Sequence, residues 1–252
     1  MKLPAAYLDA VTAQLRQIAD TQMPAIERAA EWFAAALLAE RWIYLFGTGH
    51  SHMLAEELFY RAGGLARIVP MLYPPLMLHQ SASDSTRVER NPETVARLLE
   101  IYPLAAGDVL LVASNSGRNV VPVELAMRVR DRGVKTIALV NREHGAAFPS
   151  RHPSGKRLAE SVDLCIDNRG VAGDACVDLD VPGPGSDCPR RIGAASTVTG
   201  AAILQMIACG AVEIAVRNGW NPELFASSNA GGHDQSRNDR LLEKFGGIVP
   251  HL

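Results

Sequence analysis

The stretch Asp108–Gly117, DVLLVASNSG, limits most sharply what this chain can fold into. Val109 to Ala113 form a short, uninterrupted apolar run, without the polar alternation of a half-exposed strand. A strand apolar on both sides needs cover on both faces, and the crossover helices of a parallel sheet supply it. The same signature recurs at Trp42–Phe46, Ala66–Leu72, Val134–Asn141 and Val162–Asn168. Helical patterns lie between: one begins at Ser51 and ends at Gly63-Gly64, one spans Asn91–Tyr102, one Arg118–Gly133, and a long apolar one Ser196–Asn218. Strands alternating with helices predict an α/β domain with a largely parallel sheet. Ala175–Val181, ACVDLDV, reads as an added edge strand.

Ahead of the first strand, Ala5–Glu40 carries apolar residues at helical spacing: Leu8, Val11, Leu15 and Ile18, then Ile26, Ala30, Phe33 and Leu37. Pro24 is expected to divide this segment into two helices, because proline lacks the N–H and crowds the preceding turn. The chain therefore reads as a helical extension over 1–40, one domain over 41–220, and a polar tail over 221–252 that packs on the domain or on a partner. A net charge of -2 and 25 basic residues without a run of them argue against nucleic-acid or membrane partners. Cys165, Cys176, Cys188 and Cys209 show no C-x-x-C spacing, which suits a reducing, cytoplasmic compartment. The N-terminus lacks the apolar stretch of a signal peptide, and no uninterrupted apolar run reaches the ~20 residues of a membrane span.

Two strand ends carry unusual chemistry. In GTGHSH, Gly47 and Gly49 permit a tight turn and Ser51 stands where a helix begins. It is neither a dinucleotide fingerprint, since His52 occupies the third glycine position, nor a Walker loop. In SNSGRN, Ser114, Asn115 and Ser116 precede Gly117, and Asn119 stands at a helix entrance. Hydroxyls and free N–H groups at such a turn make a small phosphate cradle, although Ser and Asn also serve there as plain helix caps. Two such turns on strands expected to be close together favour a phosphorylated small molecule.

Gly47/Gly49/Ser51, Ser114/Ser116/Gly117 and Ser196/Thr197 at the head of a late helix resemble the SIS (sugar isomerase) family, from about Glu31 to Asn218. The longer wording GTGHSHMLAEELFYRAGG, SNSGRNVVPVE, SRHPSGKRL and STVTGA is similar to a subgroup of stand-alone phosphosugar isomerases akin to phosphoheptose isomerase. The resemblance implies a flavodoxin-like, Rossmann-like three-layer α/β/α sandwich around a five-stranded parallel sheet. It also implies a homodimer or dimer of dimers with sites near the subunit interface. Phosphate would be held by Ser114, Asn115, Ser116 and Asn119, with Ser51 across the crevice. Many relatives carry Thr where Asn119 stands, an amide in place of a hydroxyl. Ser196 and Thr197 would line the sugar side together with Gly47 and Gly49.

Aldose–ketose isomerisation moves a proton between adjacent carbons through an enediol and needs acid–base groups such as Glu or His. The candidates are Glu57 on the first helix, His50 in the turn, and His233, which matches by analogy a late histidine that such isomerases use for ring opening. In phosphoheptose isomerase, which this chain resembles, the catalytic Glu lies one turn further on, where this chain has Arg61. In SRHPSGK, cationic residues of a mobile-looking loop, with His152 and Lys156, could clamp a phosphate or an acidic sugar. His50, His52, Glu56 and Glu57 lack H-E-x-x-H order, and neither metal nor cofactor is expected. The leading expectation is a phosphosugar isomerase. The alternatives are a non-catalytic phosphosugar sensor and an amino-sugar-phosphate lyase or etherase.

Overall fold

The structure, a computed structural model, describes residues 2–179, 190–227, 229 and 233–252, with backbone only at 233 and 234. In chain order its elements are α1 (Leu3–Leu38), β1 (Ile43–Gly47), α2 (His52–Glu57), β2 (Ile68–Pro70), α3 (Ala82–Val88) and α4 (Glu93–Ile101). There follow β3 (Val109–Ser114), α5 (Val120–Arg130), β4 (Lys135–Val140), α6 (Arg142–Ala146) and β5 (Leu164–Asp167). The chain ends with β6 (Ala175–Asp178), β7 (Arg191–Ala194), α7 (Ser196–Arg217) and α8 (His233–Phe245).

The expected five-stranded parallel sheet is present, in the order β2-β1-β3-β4-β5. Leu45 pairs with Leu111 and Leu111 with Ile137, so side chains facing one way stay level across the sheet. Alternate residues serve opposite faces, as strand geometry requires. Ile43, Leu45, Val109, Leu111, Ala113, Ile137 and Leu139 join a core with α1, α2 and α7. Tyr44, Phe46, Leu110, Val112, Ala138 and Val140 join a second core with α4, α5 and α8. Both faces are covered, which is why the strand sequences show no polar alternation. The order reverses between β1 and β3, and such a switch point leaves a crevice beyond the carboxyl ends of the two strands.

Three sequence expectations are corrected. Pro24 does not divide the N-terminal segment: α1 runs unbroken through it for 36 residues. Ile18 and Ile26, on either side of the proline, are both buried in the same core, and that packing outweighs one lost backbone bond. The helix after the first turn ends at Glu57, well short of Gly63. Beyond it the backbone is claimed by the C-terminal segment: Gly63 N–H donates to Phe225 O, Phe225 N–H to Gly64 O, and Ala66 N–H to Glu223 O. Ala175–Asp178 is a strand, but it pairs antiparallel with Arg191–Ala194 in a separate two-stranded sheet. The free edge of β5 is taken by α1, where Gln22 Oε1 accepts the Asp167 N–H at 3.0 Å and Gln14 Nε2 donates to Asn168 O at 2.6 Å. Cys188 lies outside the described residues.

Candidate functional site

The β1 strand ends in a turn that only glycine can make. A Cβ on Gly47 would lie 2.2 Å from Ser51 O, and Gly49 takes a φ of +56°. The 3-10 turn Gly49–Ser51 then leaves His50 exposed at its crest, and the Ser51 hydroxyl has no partner among the described residues. His52, directly after, is buried and spends its Nδ1 on Gly49 O, bracing the turn from below.

The β3 strand ends in the second turn. Ser114 Oγ accepts the Gly117 N–H at 3.2 Å, and Gly117 has a φ of +58°. Asn115 is fixed through both polar ends, its carbonyl accepting from Asn141 N–H and its Oδ1 from Asn168 Nδ2. The N–H groups of Ser116, Arg118 and Asn119, and the Ser116 hydroxyl, have no acceptor or donor among the described residues. Free donors grouped at the head of α5 form the concavity that favours an anion.

The third wall is the start of α7. Asp174, in a left-handed conformation with φ +68°, caps this helix from the loop before β6. Its Oδ1 accepts the Ser196 N–H at 2.9 Å and the Ala195 N–H at 3.3 Å, and its Oδ2 accepts the Ser196 hydroxyl at 2.6 Å. The three walls enclose a cavity of about 100 Å³ lined by His50, Ser51, Leu54, Ser114, Asn115, Leu139, Asn168, Asp174, Ser196 and Thr197. Thus six residues singled out from sequence, at 50, 51, 114, 115, 196 and 197, meet in one place although they come from three separate segments.

Other candidates lie elsewhere. Ser116 lines a neighbouring cavity of about 180 Å³ with Arg142 and Arg157, on the far side of the same loop. Asn119 Oδ1 accepts from Arg151 at 2.7 Å. Glu57 is ion-paired to Arg61 and accepts from Gln205 Nε2 on α7 at 2.9 Å, away from the cavity. His152 is buried, with Nε2 2.9 Å from Glu124 Oε2 and Nδ1 2.7 Å from Ser154 Oγ, so it holds its loop together. Burial pushes the Glu124 carboxyl up, but His152 and Arg128 outweigh it and hold the group below the usual glutamate range. The SRHPSGK loop is closely knit: Ser150 Oγ donates to Lys156 O, and Gly155 N–H donates to His152 O. Lys156 is exposed and borders neither cavity. The His233 side chain is outside the described residues. Among the described residues no three His, Cys, Asp or Glu side chains group so as to hold a metal ion.

Asp174 and Asn168 escaped the sequence reading. Nothing local marks them, because Asp174 acts on a helix that starts 22 residues later and Asn168 on a loop 53 residues earlier.

A doubly covered parallel sheet with a polar cavity at its switch point defines the chain as an α/β protein of the doubly wound kind. The chain belongs to the SIS domain family, whose signature it matches over residues 6–141. It is 38% identical over 246 residues to a UPF0309 protein of Listeria innocua, covering 98% of this chain and 97% of that one. A UPF0309 protein of Halalkalibacterium halodurans is 39% identical over 249 residues, covering 98% and 96% respectively. Among solved structures, a phosphoheptose isomerase from Francisella tularensis shares the fold, with a TM-score of 0.53 at 15% identity over 83% of this chain and 96% of that one.

Proposed function

We propose that this protein binds a sugar phosphate at the cavity between the β1 and β3 turns and isomerises it between aldose and ketose forms. The observation that carries this reading is the cavity where the two turns meet: the unbonded Ser51 hydroxyl lines it with Ser114 and Asn115, and the unbonded Ser116 hydroxyl and the N–H groups of Ser116, Arg118 and Asn119 lie in the same β3 turn. Such donors suit a phosphate, and SIS membership supports a phosphosugar as its bearer. Bound this way, the sugar carbons extend toward α7. Among the described residues, Asp174 is the one carboxylate lining the cavity, and His50 is the one imidazole. In this reading Asp174 takes the proton from the carbon beside the carbonyl, and His50 serves the oxygens as the enediol forms and collapses. Asp174 replaces Glu57 as the base in this reading, because Asp174 lines the cavity and Glu57, paired with Arg61 and Gln205, does not.

The cavity, about 100 Å³, is smaller than the roughly 300 Å³ at which usual ligand pockets begin, which supports a homodimer whose second copy completes the site. Val198 and Val216 stand exposed on α7, as an interface helix would leave them in a single subunit. The reading places the enzyme in the cytoplasm. The small cavity also favours a second reading, a phosphosugar sensor that holds its ligand without converting it.

A thermal-shift series of aldose and ketose phosphates, followed by NMR of each binder in D2O, tests both. Stabilisation with deuterium entering beside the carbonyl supports the isomerase. Stabilisation without exchange leaves the sensor. Ser51→Ala with Ser116→Ala removes only unbonded hydroxyls, so it should abolish the ligand-induced shift while leaving the unliganded melting temperature unchanged. Wild-type ligand affinity in that double variant would refute the cradle.

A further inference from the structure

In and beside the cradle loop stand three arginines that do not line the cavity, with one carboxylate, Glu89, set against them. Arg118 lies in the loop itself, Arg151 in the SRHPSGK loop and Arg90 just beyond α3. The two loops are tied, since Arg151 N–H donates to Arg118 O at 2.9 Å and the Arg151 guanidinium to Asn119 Oδ1 at 2.7 Å. None of the three arginines is ion-paired among the described residues, whereas most arginines of this chain are. Arg118 carries a buried Nε without a partner, and its guanidinium lies 5.3 Å over the Phe148 ring, which holds it in place. Burial, then the repulsion of Arg118 and Arg90, lower the Arg151 pKa, and Glu89 alone opposes them. Glu89 also accepts the Thr48 hydroxyl at 2.8 Å, and its single charge faces three cations.

Guanidinium groups do not shed protons to relieve such crowding. Three of them against one carboxylate are stable together only at a cost, which an incoming anion would remove. Among the described residues the cavity lining holds no Lys or Arg, and the loop offers it neutral groups alone. Two residues separate Asn115, which lines the cavity, from Arg118, which does not, at most about 10 Å of chain and within the length of a phosphorylated hexose.

Building on the phosphosugar reading, we propose that the ligand carries a second anionic group, a carboxylate or a second phosphoryl, and that Arg118 and Arg151 hold it beside the cradle with Arg90 reinforcing the field. Guanidinium suits either group, since its planar fork matches two oxygens at once. The class selected is therefore the acidic or doubly phosphorylated sugar, in preference to a plain hexose monophosphate.

Calorimetric titration with matched probes decides it: 6-phosphogluconate against glucose 6-phosphate, and fructose 1,6-bisphosphate against fructose 6-phosphate. The wild type should bind at least one doubly anionic probe about 10-fold or more tightly than its partner, the scale of one charge-assisted contact. Arg118→Gln with Arg151→Gln should erase that preference, weakening the doubly anionic probe about 10-fold more than the singly phosphorylated one. Arg90→Gln, on an exposed side chain, should reduce the preference without touching the fold. Equal affinity within both pairs for the wild type overturns the proposal and leaves the phosphate cradle standing. Equal weakening of all probes by the double variant overturns it too, because the arginines would then serve the one phosphate. Failure of every sugar phosphate to bind would overturn this proposal and the phosphosugar reading together.

Discussion

Asp174 performs two tasks in the proposed site, capping α7 and moving a proton, and three substitutions separate them. The carboxylate accepts three hydrogen bonds, from Ser196 N–H, Ser196 Oγ and Ala195 N–H, and its own backbone sits at φ +68°. Losing a cap acceptor costs about 1–2 kcal/mol, while a left-handed residue other than Gly, Asn or Asp costs about 1–2 kcal/mol more. Asp174→Ala loses the cap and keeps the backbone conformation, so about 2–4 kcal/mol should be lost, a fall of roughly 4–16 °C at 2–4 °C per kcal/mol. Asp174→Gly loses the same cap in a conformation natural to glycine and should fall by about half as much. Asp174→Asn keeps an acceptor oxygen and tolerates the left-handed backbone, so its melting temperature should stay within about 4 °C of wild type. Asparagine cannot take a proton, and solvent-deuterium exchange into a bound sugar phosphate, followed by NMR, should slow by about 100-fold or more. Exchange at the wild-type rate in Asp174→Asn would remove this residue from the chemistry. An unchanged melting temperature in Asp174→Ala would show that α7 does not depend on the cap.

Two further outcomes follow from the geometry. Gly47→Ala puts a Cβ 2.2 Å from Ser51 O and 2.4 Å from Ser51 C, backbone atoms that cannot rotate aside; it should cost about 1–3 kcal/mol in thermal denaturation and abolish ligand binding, and a wild-type melting curve would refute the tight turn. Asp163 is pushed up by burial, but the Thr136 N–H and hydroxyl and Arg130 outweigh this and hold its carboxyl below the usual range. Its contribution is therefore complete above the unfolded carboxylate value of about 4 and is lost as pH falls through the lower folded value. Melting temperature against pH should drop less steeply below about pH 4 in Asp163→Asn than in wild type, and parallel acid limbs would refute the assignment.

The sheet was legible because its strands are apolar on both sides, as at Val109–Ala113, and that pattern requires two covering layers. The same reasoning placed Ser51 and Ser114 at strand ends, and parallel pairing of β1 with β3 brings those ends together. What escaped depended on residues far apart in the chain. The short α2 is decided by backbone bonds from Glu223 and Phe225, and the fate of Pro24 by a core that α7 completes. Asp174 looks like any loop aspartate until α7 is set in front of it. His152 shows the converse: a histidine in a polar loop reads as free, yet Glu124 on α5 has already claimed it.

The long first helix has a consequence for the order of assembly. α1 is made well before α7, yet its inner face shares one core with that helix through Ile203, Leu204, Ile207, Ala211 and Ala215. At synthesis speeds of about 5–20 residues per second, the apolar side of α1 waits on the order of ten seconds or more for its counterpart. Through that interval the nascent protein exposes Phe33, Leu37 and one side of the growing sheet, the kind of surface that chaperones bind and that drives neighbouring chains to associate. Closing this gap also draws Thr199 against Gln14 and seats Asp174 on Ser196, so the cavity is completed in the last stage of folding. A chain arrested before α7 emerges would hold both glycine turns without the α7 wall of the cavity.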